Sequence, residues 1–147
     1  MIEMVFVIVI LGILAAVAIP RLAASRDDAI IVKGKSQVSA IRSGIALQKS
    51  KNLLQGSIQT CGGVTGYYPC ILSPDSNTTL FYLGEGNSSN VLEYPIYPQT
   101  NHDGSWVRSN TNQYTFQVMG TGNIFDYNTT SGSFNCTSGT NCTDLTQ

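Results

Sequence analysis

Charge is scarce in this sequence. Only 12% of its 147 residues are charged, eight Lys and Arg against nine Asp and Glu, and there is one histidine, His102. A net charge of −1 excludes a nucleic-acid surface of the ordinary electrostatic kind, which needs a dense field of bases. One histidine, with cysteines that never fall as C-x-x-C, excludes the common zinc sets. The sequence also lacks G-x-S-x-G, a P-loop and H-E-x-x-H, so neither a catalytic set nor a cofactor is expected. Asp103 beside His102 belongs to an Asn-His-Asp-Gly stretch that reads as a turn. Asp75, Glu85, Asp103 and Asp126 are scattered and lack EF-hand spacing, so no metal is assigned to them.

No Lys or Arg precedes Arg21; the opening is MIEMVFVIVILGILAAVAIPRL. From Met4 to Ile19, 16 residues run without charge, close to the roughly 20 that span a bilayer. Glu3 interrupts the apolar lead-in, and a carboxylate near an apolar core needs a partner from elsewhere. Ala16-Val17-Ala18 would pass as a signal-peptide cleavage site, but the basic n-region is missing and Glu3 is foreign to one. Pro20 falls inside continuing helical sequence and should bend it, because it lacks an N–H and crowds a preceding carbonyl. Gly12 and the Ala15-Ala16 pair favour close helix approach, although GxxxG is absent.

From Asp27 to Leu54 the sequence has no proline, and Ile31, Val38, Ile41 and Ile45 recur on one helical face. Gly34 and Gly44 should each weaken this helix by about 1 kcal/mol relative to Ala, and Gln55-Gly56 supplies a stop. Joined to the apolar head, the helix would be about 80 Å long. The tail beyond it cannot cover that length, so the first half must enter lipid or meet other copies of itself. Most bases, among them Arg21, Arg26, Lys33, Lys35 and Arg42, lie between Arg21 and Lys51. They read either as a solvated helix face or as partners for acids on neighbouring subunits.

After Gly56 short β signals take over. Thr79–Leu83 and Val91–Ile96 are candidate strands, the second an edge because of Pro95. Tyr114–Val118 alternates like a half-buried strand, Gly120–Asn123 turns, and Ile124–Tyr127 and Ser133–Cys136 complete an antiparallel meander. Tyr114, Phe116, Val118, Ile124 and Phe134 should face the Ile31/Val38/Ile41/Ile45 stripe. The fold class is therefore α+β. A membrane or assembly helix occupies 1–24, its amphipathic continuation 25–55, and a β-rich head 56–147.

An acid, a continuous apolar helix and a proline just past it resemble the N-terminus of type IV pilins and type II secretion pseudopilins. Ile2-Glu3 matches the end of the family signature, Gly12 its mid-run glycine and Pro20 its proline. The likeness is close over roughly the first 25 residues and loose over the rest of the helix. It departs at the start. The Gly-Phe-Thr read by the processing peptidase is absent, Met1 stands where Leu is usual, and two residues precede the acid instead of four. A leader and the first mature residues are thus expected upstream. The resemblance implies a pilin-like fold and a structural subunit rather than an enzyme. Its partners would be identical or homologous subunits in a helical homopolymer, the inner membrane before assembly, and the pilus or type II secretion machinery. Glu3, Gly12 and Pro20 would be the assembly residues, with Glu3 neutralising the N-terminal amine of the adjacent subunit.

Four cysteines fall into two close pairs, Cys61/Cys70 and Cys136/Cys142, and an even count in a small exported domain favours disulfides. Local pairing is preferred, although four cysteines allow three connectivities. The second pair resembles the exposed C-terminal disulfide loop of pilins. Asn-x-Ser/Thr occurs at Asn77, Asn87, Asn128, Asn135 and Asn141. Asp75, Glu85 and Asp126 stand two residues before the first three, which resembles the extended bacterial acceptor form. Asn77, Asn87 and Asn128 are therefore the glycosylation candidates, against a background of polar turns.

Three functions compete: a surface filament subunit for adhesion, motility, DNA uptake or secretion; a periplasmic pseudopilin; and a monomeric membrane-anchored binding protein. The sequon-rich, disulfide-bearing tail favours the surface filament.

Overall fold

The computed structural model describes residues 2–75 and 78–147, with no side-chain description for 22–24. The sequon at Asn77 therefore lies outside the described residues. The chain forms one long helix, α1 (Ile2–Gln55), a small hairpin of β1 (Gln59–Cys61) and β2 (Val64–Gly66), and a four-stranded sheet. That sheet is an antiparallel meander of β3 (Trp106–Asn110), β4 (Gln113–Val118), β5 (Thr121–Tyr127) and β6 (Phe134–Ser138). A short α2 (Cys142–Thr146) closes the chain. The α+β class read from the sequence is the one observed.

Helix α1 ends where Gly56, at φ 63°, takes the left-handed conformation that glycine adopts without penalty. Its N–H donates to Leu53 O (3.2 Å), and the Ser57 N–H donates to Asn52 O (2.9 Å). These two bonds are the Schellman closure of a helix. The buried face of the second half runs through Gly34, Val38, Ile41, Gly44, Ile45, Gln48 and Asn52, so the apolar stripe is right for Val38, Ile41 and Ile45. Ile31 packs only partly against the core.

The core is dominated by rings. Trp106 lies 4.9 Å from Phe116 and 5.1 Å from Phe125, centroid to centroid, and Phe125 stacks on Phe134 at 5.3 Å. Phe81 closes the cluster against Tyr114 at 4.7 Å. The Trp106 indole N–H donates to Gln37 Oε1 at 3.0 Å, tying β3 to the helix.

Four details differ from the sequence reading. Thr79–Leu83 and Val91–Ile96 are not strands; only an isolated bridge joins Leu80 to Ile96. Phe81 sits at φ 59°, which breaks the extended chain, and Pro95 offers no donor. The turn between β4 and β5 is confined to Met119 and Gly120, and Thr121 already pairs with Val118. On β5 the inward residues are Asn123, Phe125 and Tyr127, while Ile124 is half-buried on the other face. Two aromatic rings outweigh one isoleucine in choosing the phase. Finally, β3, the β1–β2 hairpin and α2 carried no clear sequence signal.

Candidate assembly surface

The head grips only the second half of α1. From Ile2 to Arg26 every residue with a described side chain is exposed. This half contains a window of mean hydropathy 3.0, none of it buried, and is long and apolar enough to cross a membrane. It presents 13 exposed large apolar side chains between Ile2 and Ile19, Phe6 and Ile19 at 66% among them. Removing such a set from water is favourable by an amount on the order of 20 kcal/mol.

The three assembly candidates lie on this half. Glu3 is exposed in the first turn, where the partial positive charge of a helix N-terminus favours a carboxylate. Pro20 is accommodated within a helix that continues on both sides, although its missing N–H leaves the Ala16 carbonyl without its helical donor. Gly12 would have nothing within 4 Å of an added Cβ. Gly34 and Gly44 are different. A Cβ at Gly34 would come within 2.4 Å of Phe116, and one at Gly44 within 2.1 Å of the Val91 carbonyl oxygen. These two admit the head to the helix; Gly12 admits nothing among the described residues.

The bases of α1 are used largely within the chain. Lys33 donates to Gly104 O at 2.7 Å, Arg42 Nε to Phe134 O at 3.0 Å, and Lys49 to the Tyr68 hydroxyl at 2.9 Å. Lys51 reaches Ser88 O. Gln48 and Asn52 add bonds to Asn90 O and Tyr67 O. Most of these bonds end on loop carbonyls, so they hold the head's irregular segments to the helix. Neither a wholly solvated face nor a reserve of cations for other subunits describes these four bases. Arg21, Arg26 and Lys35 are exposed and make no hydrogen bond or ion pair among the described residues.

Three of the four scattered acids make contacts within the chain. Asp75 pairs with Arg108 at 3.0 Å, Asp103 accepts the Gly120 N–H at 2.8 Å, and Asp126 holds Gln113 Nε2 at 2.9 Å. Both local disulfides are present, Cys61–Cys70 and Cys136–Cys142, with Cα separations of 5.2 and 5.4 Å. The second joins β6 to α2 and brings Leu145, 1% exposed, against Gly34. Asn123, fully buried, accepts the Asn141 N–H at 2.9 Å and fixes the same loop to the sheet. Burial pushes the Tyr127 phenol upward in pKa, with Tyr68 and Tyr114 acting in the same direction; its hydroxyl donates to Pro69 O at 2.7 Å.

No family model, curated protein or solved structure matches the chain.

Proposed function

We propose that this chain is a structural subunit of a type IV pilus-like surface filament, polymerising through the first half of α1. The observation that carries the reading is the division of α1 between a half fixed to the head and an apolar half that nothing among the described residues covers. A bilayer covers such a helix before assembly and other copies of it cover it afterwards. Two features exceed what a simple anchor needs. Glu3 places a carboxylate beside the apolar run, where low dielectric tolerates it only with a partner. Gly12 costs a helix about 1 kcal/mol relative to Ala and has no neighbour among the described residues that requires it. Both fit a packed bundle of like helices. The pseudopilin of a type II secretion system shares this helix logic, and the sequon-bearing loops favour the surface filament over it.

Glu3→Ala tests the reading. The head's core does not involve Glu3, so the variant should accumulate folded in the membrane while filament number falls at least tenfold. Filaments of normal number and length would remove Glu3 from assembly.

A further inference from the structure

We propose that Asn87 and Asn128 accept N-linked glycan, whereas Asn135 and Asn141, which carry the same three-residue signal, do not. The structure separates the four by the backbone that carries each of them.

Asn87 is exposed in the loop that follows Glu85. Its Oδ1 accepts the Ser89 N–H at 2.9 Å. Asn128 is exposed in the β5–β6 connection, and its Oδ1 accepts the N–H groups of Thr130 at 2.9 Å and Ser131 at 3.1 Å. In both, the backbone two residues on holds the carboxamide oxygen, an Asx turn. Among the described residues, neither Nδ2 donates a hydrogen bond, and the hydroxyls of Ser89 and Thr130 are likewise unengaged. A transferase that reads Asn-x-Ser/Thr needs both of those groups, and here both are available on exposed turns.

The other pair is carried on backbone that is fixed by strand pairing or by a disulfide. Asn135 lies within β6 opposite Asp126 and takes Arg42 Nη2 on Oδ1 at 3.4 Å. The Thr137 hydroxyl, two residues on, donates to Asp126 Oδ2 at 2.5 Å. Asn141 is half-buried inside the Cys136–Cys142 ring, with its N–H on Asn123 and its Oδ1 on the Thr140 hydroxyl at 3.0 Å. Threading either through an enzyme's acceptor groove would break strand pairing or the disulfide loop.

The donor is a sugar carried on a polyprenyl pyrophosphate. Asparagine Nδ2 attacks the sugar C1, and the C1–N bond forms as the C1–O bond to phosphate breaks. The lipid pyrophosphate leaves with that electron pair, and one carboxamide proton passes to a base of the transferase. No oxidant or reductant is needed.

The experiment exports the full chain in cells supplied with a lipid-pyrophosphate-linked oligosaccharide. Those cells also carry an oligosaccharyltransferase that reads Asn-x-Ser/Thr without requiring an acid at −2, and a control acceptor protein that is modified alongside. Peptide mass spectrometry then reads Asn87, Asn128, Asn135 and Asn141. Glycan is expected on the first two, with Asn87→Gln and Asn128→Gln each losing one glycan mass while the disulfides and folded state persist. Bare Asn87 and Asn128 beside a modified control would overturn the proposal. So would equal occupancy at all four positions.

Discussion

Gly34 lies directly against the ring of Phe116, so closely that a Cβ at Gly34 would stand 2.4 Å from Phe116 Cε1 and 2.6 Å from Leu145 Cδ2. The contact joins helix, sheet and C-terminal segment at one point. It makes a residue that is poor for helix formation necessary for packing.

Gly34→Ala should therefore destabilise the head despite its better helix propensity. Overpacking costs about 1–3 kcal/mol and the propensity gain returns about 1 kcal/mol, so a net loss of up to about 2 kcal/mol is expected. Urea unfolding followed by fluorescence of the single tryptophan, Trp106, measures it. Gly12→Ala, with open space around it, should leave the same midpoint unchanged.

Met119 occupies the first position of the β4–β5 turn at φ 51°, followed by Gly120 at φ 71°. A two-residue hairpin with both φ values positive favours Asn-Gly, and methionine pays roughly 1 kcal/mol to be there. Met119→Asn should raise head stability by about 0.5–1 kcal/mol, read as a higher urea midpoint with an unchanged slope. A lower midpoint would mean that the exposed Met119 side chain makes a contact worth more than the turn strain.

Tyr114 and Tyr127 both have their phenol pKa raised, first by burial. A raised folded pKa means that the protonated phenol is the form the fold stabilises. That contribution is complete below about pH 10, the ordinary phenol value, and is lost as the pH climbs through and beyond it. Unfolding midpoints should be flat from neutral pH to about 9 and should fall steeply above 10. Tyr127→Phe should lose about 1 kcal/mol at neutral pH with its bond to Pro69 O, and should decline less steeply in alkali.

The long helix and its buried stripe were legible because a 3.6-residue period over Val38, Ile41 and Ile45 has no competing explanation. The meander was legible from alternation in Tyr114–Val118. The roles of Gly34 and Gly44 were not, since a glycine's sequence neighbours say nothing of the Phe116 ring or the Val91 carbonyl set against it. Trp106 was missed because its strand turns polar after Val107, leaving no alternation to read. Phe81 misled for a different reason. Its ring belongs in the core, but its left-handed backbone ends the strand that its composition suggests. For the candidate surface, Glu3, Gly12 and Pro20 came from the family resemblance, and the structure adds that nothing among the described residues lies within 4 Å of a Cβ added at Gly12. The employment of Lys33, Arg42, Lys49 and Lys51 on main-chain carbonyls and a hydroxyl depends on tertiary approach and left no mark in the sequence.

The central claim is that the uncovered half of α1 is covered by copies of itself. Surface material sheared from cells producing the chain, viewed by electron microscopy and identified by peptide mass spectrometry, tests it most directly. The account predicts thin filaments in which this chain is the repeating subunit, with helices from successive subunits packed along the axis. Recovery of the chain solely as a detergent-extracted monomer, with no filament containing it, would contradict the account and leave the helix as a membrane anchor.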